Sequence, residues 1–222
     1  MLLSARNLLK HYPDASGQLY PALALDALTL DQGEEIAVTG PSGAGKSTLL
    51  HILAGLLPPD QGELSIDGVS PYALSESRRD RWRAENIGFI FQEFHLLPHY
   101  TIRENILLGM TFGGRRQPAL AGALLEATGL LDKAGSLPRH LSVGQRQRAA
   151  VARALANQPR LLLADEPTGS LDPENAQTVL TLLRQLARDH QTSLIVVSHD
   201  PTLVKTFPRT LQLHQPENIL AS

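Results

Sequence analysis

The chain has 222 residues, 42% hydrophobic and 19% charged, and its 20 Lys and Arg against 22 Asp and Glu leave a formal net charge of −2. That balance excludes disorder as the default state and argues against a general nucleic-acid binder, which needs a basic surplus to offset phosphate. The absence of cysteine excludes disulfide staples and thiolate metal sites and fits a reducing cytosol.

Met1 to Lys10 lacks a basic segment followed by a long apolar one, so no signal peptide is expected. No apolar run approaches the roughly 20 residues of a membrane helix, so membrane contact is expected only through a partner. Leu2 to Leu9 reads as a strand and Pro13 to Pro21 as a loop or hairpin tip. Glu34 to Thr39 is a short apolar strand that runs into a glycine-rich turn, and Thr48 to Ala54 is a helical run with Gly55 placed as its C′ residue. Gly62 to Gly68 and Ile87 to Phe91 read as further strands. Between about Glu93 and Pro159 strand-like runs disappear and helical spacing takes over, as in Leu120, Leu124, Leu125 and Thr128. Leu161 to Ala164 resumes a buried parallel-type strand. Asp172-Pro173 has the N-cap then N1 pattern of a helix start, Ser193 to Ser198 is the next buried strand, and Thr210 to Leu213 is a last strand-like piece. Strands alternating with helices imply a mainly parallel sheet covered on both faces.

Three segments carry chemistry. Gly40, Pro41, Ser42, Gly43, Ala44, Gly45, Lys46 and Ser47 match G-x-x-x-x-G-K-[ST] in full, between a strand and the helix that Thr48 continues. Such a loop curls backbone N–H groups around phosphates. Lys46 reaches the β- and γ-phosphates of ATP, and the Ser47 hydroxyl ligates Mg²⁺. Asp165 and Glu166 end an apolar strand. Beside a phosphate loop, the first carboxylate serves the metal and the second orients or deprotonates the attacking water. Leu141 to Arg148 reads as a helix start with Ser142 and Gln145 in a capping-box pattern, a ready anion site. Since the chain already holds one phosphate loop, this second site suggests a phosphate presented by another subunit.

Leu141-Ser142-Val143-Gly144-Gln145 resembles the signature of ABC transporter ATPases, and with the other motifs in order the resemblance covers essentially the whole chain. Val143 departs from the family's usual glycine; with Ser142 and Gly144 kept, tolerance rather than failure is expected, with slower hydrolysis at most. The resemblance implies an α/β fold with a RecA-like phosphate-loop core (1–92 and 160–222), an antiparallel β subdomain and an inserted helical signature lobe (93–159), all in one domain. It implies a head-to-tail dimer, with a second copy or a homologous subunit, that holds ATP between the phosphate loop of one chain and Ser142, Gly144 and Gln145 of the other. It also assigns Gln92 to the loop that touches Mg²⁺ and senses the membrane partner, Asp172 to the dimer seam, His199 to the γ-phosphate contact and Tyr12 to stacking on adenine, with Tyr20 as a competitor. Phe94 to Pro98 with Thr101, Glu104 and Asn105 resembles the subgroup that serves macrolide export and lipoprotein release. This implies an integral membrane permease whose short cytoplasmic helix docks around Phe94 to Tyr100, and a peripheral place on the cytoplasmic face of the inner membrane. The alternative for these apolar residues is ordinary core of the helical lobe. The alternative for the function is a non-transport ATPase that acts on periplasmic hydrolases through a membrane partner. A soluble repair or translation ATPase fits less well, since the chain has no coiled-coil insertion and no second ATPase half.

Overall fold

A computed structural model of the protein describes residues 1–114 and 116–216. The expected lobe 93–159 therefore includes one residue outside this description, and the expected core segment 160–222 includes its last six.

Two sheets are built from different stretches of chain. Strands β1 (Leu3–Pro13) and β2 (Leu19–Leu30) form a long antiparallel hairpin, and β4 (Gln61–Ile66) pairs with the other edge of β1. The hairpin is longer than the sequence suggests: the turn-rich stretch shrinks to residues 14–18, where the Asp14 carboxylate accepts from the Ser16 and Gln18 N–H groups. β2 was not legible as a strand, because its alanines and Asp26 give little β propensity and pairing with β1 decides it.

The second sheet contains β3 (Glu35–Thr39), β5 (Ile87–Ile90), β6 (Leu161–Asp165), β7 (Ser193–Val197) and β8 (Thr210–Gln212) in the order β5-β6-β7-β3-β8, with every pairing parallel. Its central strands are buried on both faces, which explains their unbroken apolar runs. Alternate residues enter different cores. Ile36, Leu161, Leu163, Ile195 and Val197 pack with α1 (Lys46–Leu53) and the antiparallel sheet. Leu162, Ala164, Leu194 and Val196 pack with the helices on the opposite face.

Those helices are α3 (Ile102–Phe112), α4 (Pro118–Ala127), α5 (Val143–Ala154) and α6 (Pro173–Asp189). Their starts follow local chemistry. Thr101 and Ser142 close capping boxes with Glu104 and Gln145, and Asp172 caps α6 ahead of Pro173. α1 ends where expected, with Gly55 at φ 69. α2 (Glu76–Asn86) precedes β5 and buries only Trp82, so its sequence carries no apolar stripe that could have announced it. Short α7 (Pro201–Val204) follows β7. No helix among the described residues is long and apolar enough to cross a membrane.

Candidate active site

Because β5, β6, β7 and β3 are parallel, their carboxyl ends lie along one edge of the sheet, the usual ligand edge of an α/β fold. The phosphate loop leaves β3 there, Gln92 follows β5, Asp165 and Glu166 end β6, and His199 follows β7. Residues far apart in sequence are thus brought together by topology.

The phosphate loop is shaped by tight backbone contacts. A Cβ on Gly40 would lie 2.5 Å from the Leu213 carbonyl oxygen, and one on Gly45 would lie 2.2 Å from that of Ala22. Gly45 also holds φ 85, in the left-handed region, as it starts α1. Lys46 folds back across the loop and donates from Nζ to the carbonyls of Gly40 and Pro41, both at 2.9 Å. Ser42, Gly43 and Ser47 are exposed, and Pro41 and Thr48 flank the turn.

Glu166 has φ 46, an uncommon left-handed conformation for a residue with a side chain. It is held by its own N–H donating to Val197 O at 3.1 Å and by Gly169 N–H donating to its carbonyl at 3.1 Å. The Glu166 side chain is mostly buried, and its Oε1 stands 2.9 Å from Nδ1 of the exposed His199. Ser198, buried at the end of β7, accepts from the Asp200 N–H and so shapes the turn that carries His199.

Gln92 is exposed, and the segment after it is tied down by residues the motifs do not include. Arg153 at the end of α5 donates to the carbonyls of His95 and, at 3.0 Å, Phe94. Buried Asn105 accepts from the Leu97 N–H at 2.7 Å and donates to the Tyr100 and Thr101 carbonyls at 3.0 Å. Phe94 and Leu96 are half-buried, whereas His95 and Leu97 to Tyr100 are exposed, so only part of this stretch is lobe core. Beside it, Phe89, Phe91, His95 and Phe112 line an open cleft together with Gly109 and Arg153. Motif reading missed Arg153 because a helical arginine ordinarily signals a solvated face.

A second cluster lies at the starts of α5 and α6. Ser142 Oγ accepts from Gln145 N–H at 3.2 Å, and Gln145 Oε1 accepts from Ser142 N–H at 2.9 Å. Gly144 sits against α6: a Cβ there would be 3.3 Å from Asn175 Oδ1. Asn175 in turn donates to the Asp172 carboxylate from its side chain at 2.6 Å and its backbone at 3.0 Å, and these bonds hold the Asp172 carboxyl below the usual carboxylate range. Ser142, Val143 and Asp172 are exposed. Among the described residues no hydrogen bond or ion pair joins this cluster to the phosphate loop. Tyr12 is half-buried at the end of β1, with its ring 6.4 Å from that of Tyr20 and tilted by 50°.

The donor set suits a hard cation that arrives with phosphate. Ser47 and Asp165 offer oxygens, and among the described residues no three His, Asp or Glu side chains converge into a self-sufficient metal cage. Mg²⁺ is bound in this sparse way, by one or two protein oxygens plus substrate phosphates and water.

A phosphate loop at a parallel-sheet edge, a carboxylate pair at the end of the neighbouring buried strand and a separate exposed capped-helix face define an ATP-binding cassette. The sequence pattern of the ABC transporter family matches residues 25–169, and the chain belongs to that family as an ATP-hydrolysing subunit. It is 44% identical over 191 residues to the lipoprotein-releasing system ATP-binding protein LolD of Xanthomonas oryzae pv. oryzae, covering 85% of this chain and 78% of that protein. It is 42% identical over 215 residues to LolD of Shewanella frigidimarina, covering 96% and 90%. Among solved structures it is similar to the dimeric post-hydrolysis state of the ATP-binding cassette MJ0796 bound to ADP and Pi, with a TM-score of 0.86, 34% identity, and 96% and 94% of the two chains covered.

Proposed function

We propose that this chain drives a membrane permease of the lipoprotein-releasing kind from the cytoplasmic face of the inner membrane, as a peripheral subunit that dimerises around two ATP. The observation that carries this reading is the separation of the site into two exposed halves: the phosphate loop with Glu166 and His199, and the capped start of α5 with Asp172. Each half is incomplete alone, and a second copy or a homologous subunit placed head to tail supplies the other. The similarity to dimeric cassettes and to LolD proteins supports it.

In this reading Tyr12 stacks on adenine, backbone N–H groups of residues 40–48 hold the phosphates, and Lys46 exchanges the Gly40 and Pro41 carbonyls for phosphate oxygens. Ser47, Asp165 and Gln92 would hold Mg²⁺, which supplies charge neutralisation on the phosphates when bound. Ser142 and the α5 N-terminus, with Gly144 and Gln145, grip the γ-phosphate of the partner's nucleotide. Glu166 takes the proton of the attacking water, and His199, already 2.9 Å from it, contacts the γ-phosphate. ATP contacts both chains only when they close, so binding shifts the open–closed equilibrium, and loss of phosphate reverses it. The permease's cytoplasmic helix seats in the cleft of Phe89, Phe91, His95 and Phe112 beside the loop that follows Gln92, and residues 93–159 act as the lobe that it moves.

Glu166→Gln tests the assignment. Turnover is expected to fall by about 10²–10⁴-fold, the range for a positioned base, while ATP affinity is retained and a closed dimer accumulates on size exclusion with ATP. Turnover at the parental rate would refute the role of Glu166. A variant that binds ATP yet stays monomeric would refute the shared site.

A further inference from the structure

The β1–β2 hairpin changes register close to the phosphate loop. Pairing is regular as far as Lys10↔Leu23, then His11 faces Pro21 and Tyr12 faces Tyr20, which leaves Ala22 as an extra residue on β2. Two contacts hold this bulge. From one side the Gly45 backbone presses on it, since a Cβ there would lie 2.2 Å from Ala22 O and 3.1 Å from Leu23 Cδ1. From the other side Asp60, just ahead of β4, grips the facing strand. Its carboxylate accepts from Lys10 Nζ at 2.7 Å and from the His11 backbone N–H at 2.6 Å, and lies 3.1 Å from His11 Nδ1. The Asp60 N–H donates to Leu9 O at 2.8 Å. The last β1–β4 pair is Leu9↔Gln61, so Asp60 takes over as acceptor where the β4 ladder ends.

We infer that Asp60 is a positioning residue for nucleotide-base recognition: it fixes the Ala22 bulge against Gly45, and the bulge aims Tyr12 at the base of a nucleotide whose phosphates lie on the loop that contains Gly45. This rests on the reading of Tyr12 as the stacking residue. A bulge bends its strand and raises the local twist. Slippage to regular pairing would move Tyr12 from opposite Tyr20 to opposite Pro21, and a one-residue slip turns side chains to the other face of a strand. The same bulge touches the phosphate loop and lies two residues after Tyr20 of the tyrosine pair on β2. It therefore sets the offset between phosphate and base subsites, which neither motif encodes.

The test compares MgATP with inorganic tripolyphosphate, which has the phosphates and no base, by titration calorimetry on the full chain. Asp60→Ala is expected to weaken ATP by about 5- to 10-fold, the low end of what a base–aromatic stack contributes, while tripolyphosphate changes by less than about twofold. Asp60→Asn keeps an acceptor oxygen for the His11 N–H and is expected to recover part of the loss. Deleting Ala22 removes the bulge directly, should give the same ATP-selective loss, and serves if Asp60→Ala does not fold. Equal losses for both ligands would reduce Asp60 to a structural residue and overturn the inference. So would an undiminished ATP affinity in Asp60→Ala and in the Ala22 deletion while Tyr12→Ala loses affinity. If Tyr12→Ala itself binds ATP normally, the stacking assignment fails first and takes the Asp60 role with it.

Discussion

Glu166, the base of the proposed mechanism, sits in an unusual backbone conformation. Its left-handed φ of 46 is a strained state that costs of order 1–3 kcal/mol and persists where surrounding bonds over-determine it, here the Val197 and Gly169 backbone bonds. That turn points a mostly buried carboxylate at His199 across the gap between β6 and β7. In the proposed mechanism Lys46 must change partners on binding, because its ammonium rests on two loop carbonyls at 2.9 Å. Those bonds are neutral-acceptor bonds, and phosphate oxygens make charge-assisted ones about twice as strong. Lys46→Ala is therefore expected to lose ATP affinity by at least about tenfold, the equivalent of one charge-assisted bond, without loss of folding. Equilibrium binding of a fluorescent ATP analogue checks it, and normal affinity would contradict the phosphate-loop assignment.

At the scale of elements, α5 links the capped helix start of the proposed site to the loop that follows Gln92. Its first turn presents the Ser142–Gln145 capping box, and its last turn places Arg153 on the Phe94 and His95 carbonyls, two and three residues after Gln92. Burial pushes the Arg153 guanidinium below its usual range, so the two carbonyls matter as its partners. His95 is itself at φ 46, a conformation that the Arg153 bond helps to hold. Arg153→Met keeps the bulk of the side chain and removes both bonds, at an expected cost of about 1.5–3 kcal/mol. Hydrogen exchange should then quicken across residues 93–97 and leave β6 and β7 protected, because those strands are buried on both faces. Unchanged exchange in that segment would show that Arg153 does not hold it.

Across the whole molecule, the parallel sheet is clamped to α6 by one buried acid. Glu35 in β3 bonds Arg184 Nε at 2.6 Å and Arg188 Nε at 2.8 Å. Burial by itself would raise the Glu35 carboxyl, but the bonds to Arg188 and Arg184 outweigh it and hold it below the ordinary range. A carboxyl that titrates lower when folded stabilises fully above its unfolded value, about 4.3, and loses that contribution as pH falls through its folded value. Glu35→Gln is expected to cost about 1–3 kcal/mol at neutral pH, less than for a fully buried pair because Arg188 is open to water. Urea melts of the two proteins should differ at neutral pH and converge in acid, with the gap shrinking as the wild-type carboxyl protonates. A gap that persists unchanged in acid would locate the loss in packing instead.

Much of this protein was legible before folding was considered. Local rules suffice for what they govern: glycine spacing for the phosphate loop, unbroken apolar runs for β6 and β7, and cap residues for the starts of α5 and α6. α2 and β2 were not legible, because one has no apolar stripe and the other depends on its partner strand. Residue order settles which chemical groups are present and on what kind of local element each one sits. It takes the folded chain to bring Glu166 to His199, Arg153 to the loop after Gln92 and Asp60 to the strand that faces the bulge beside Gly45. Those contacts join residues separated by 33, 58 and 50 positions, and strand order and side-chain burial, which no short window contains, fix whether such groups meet.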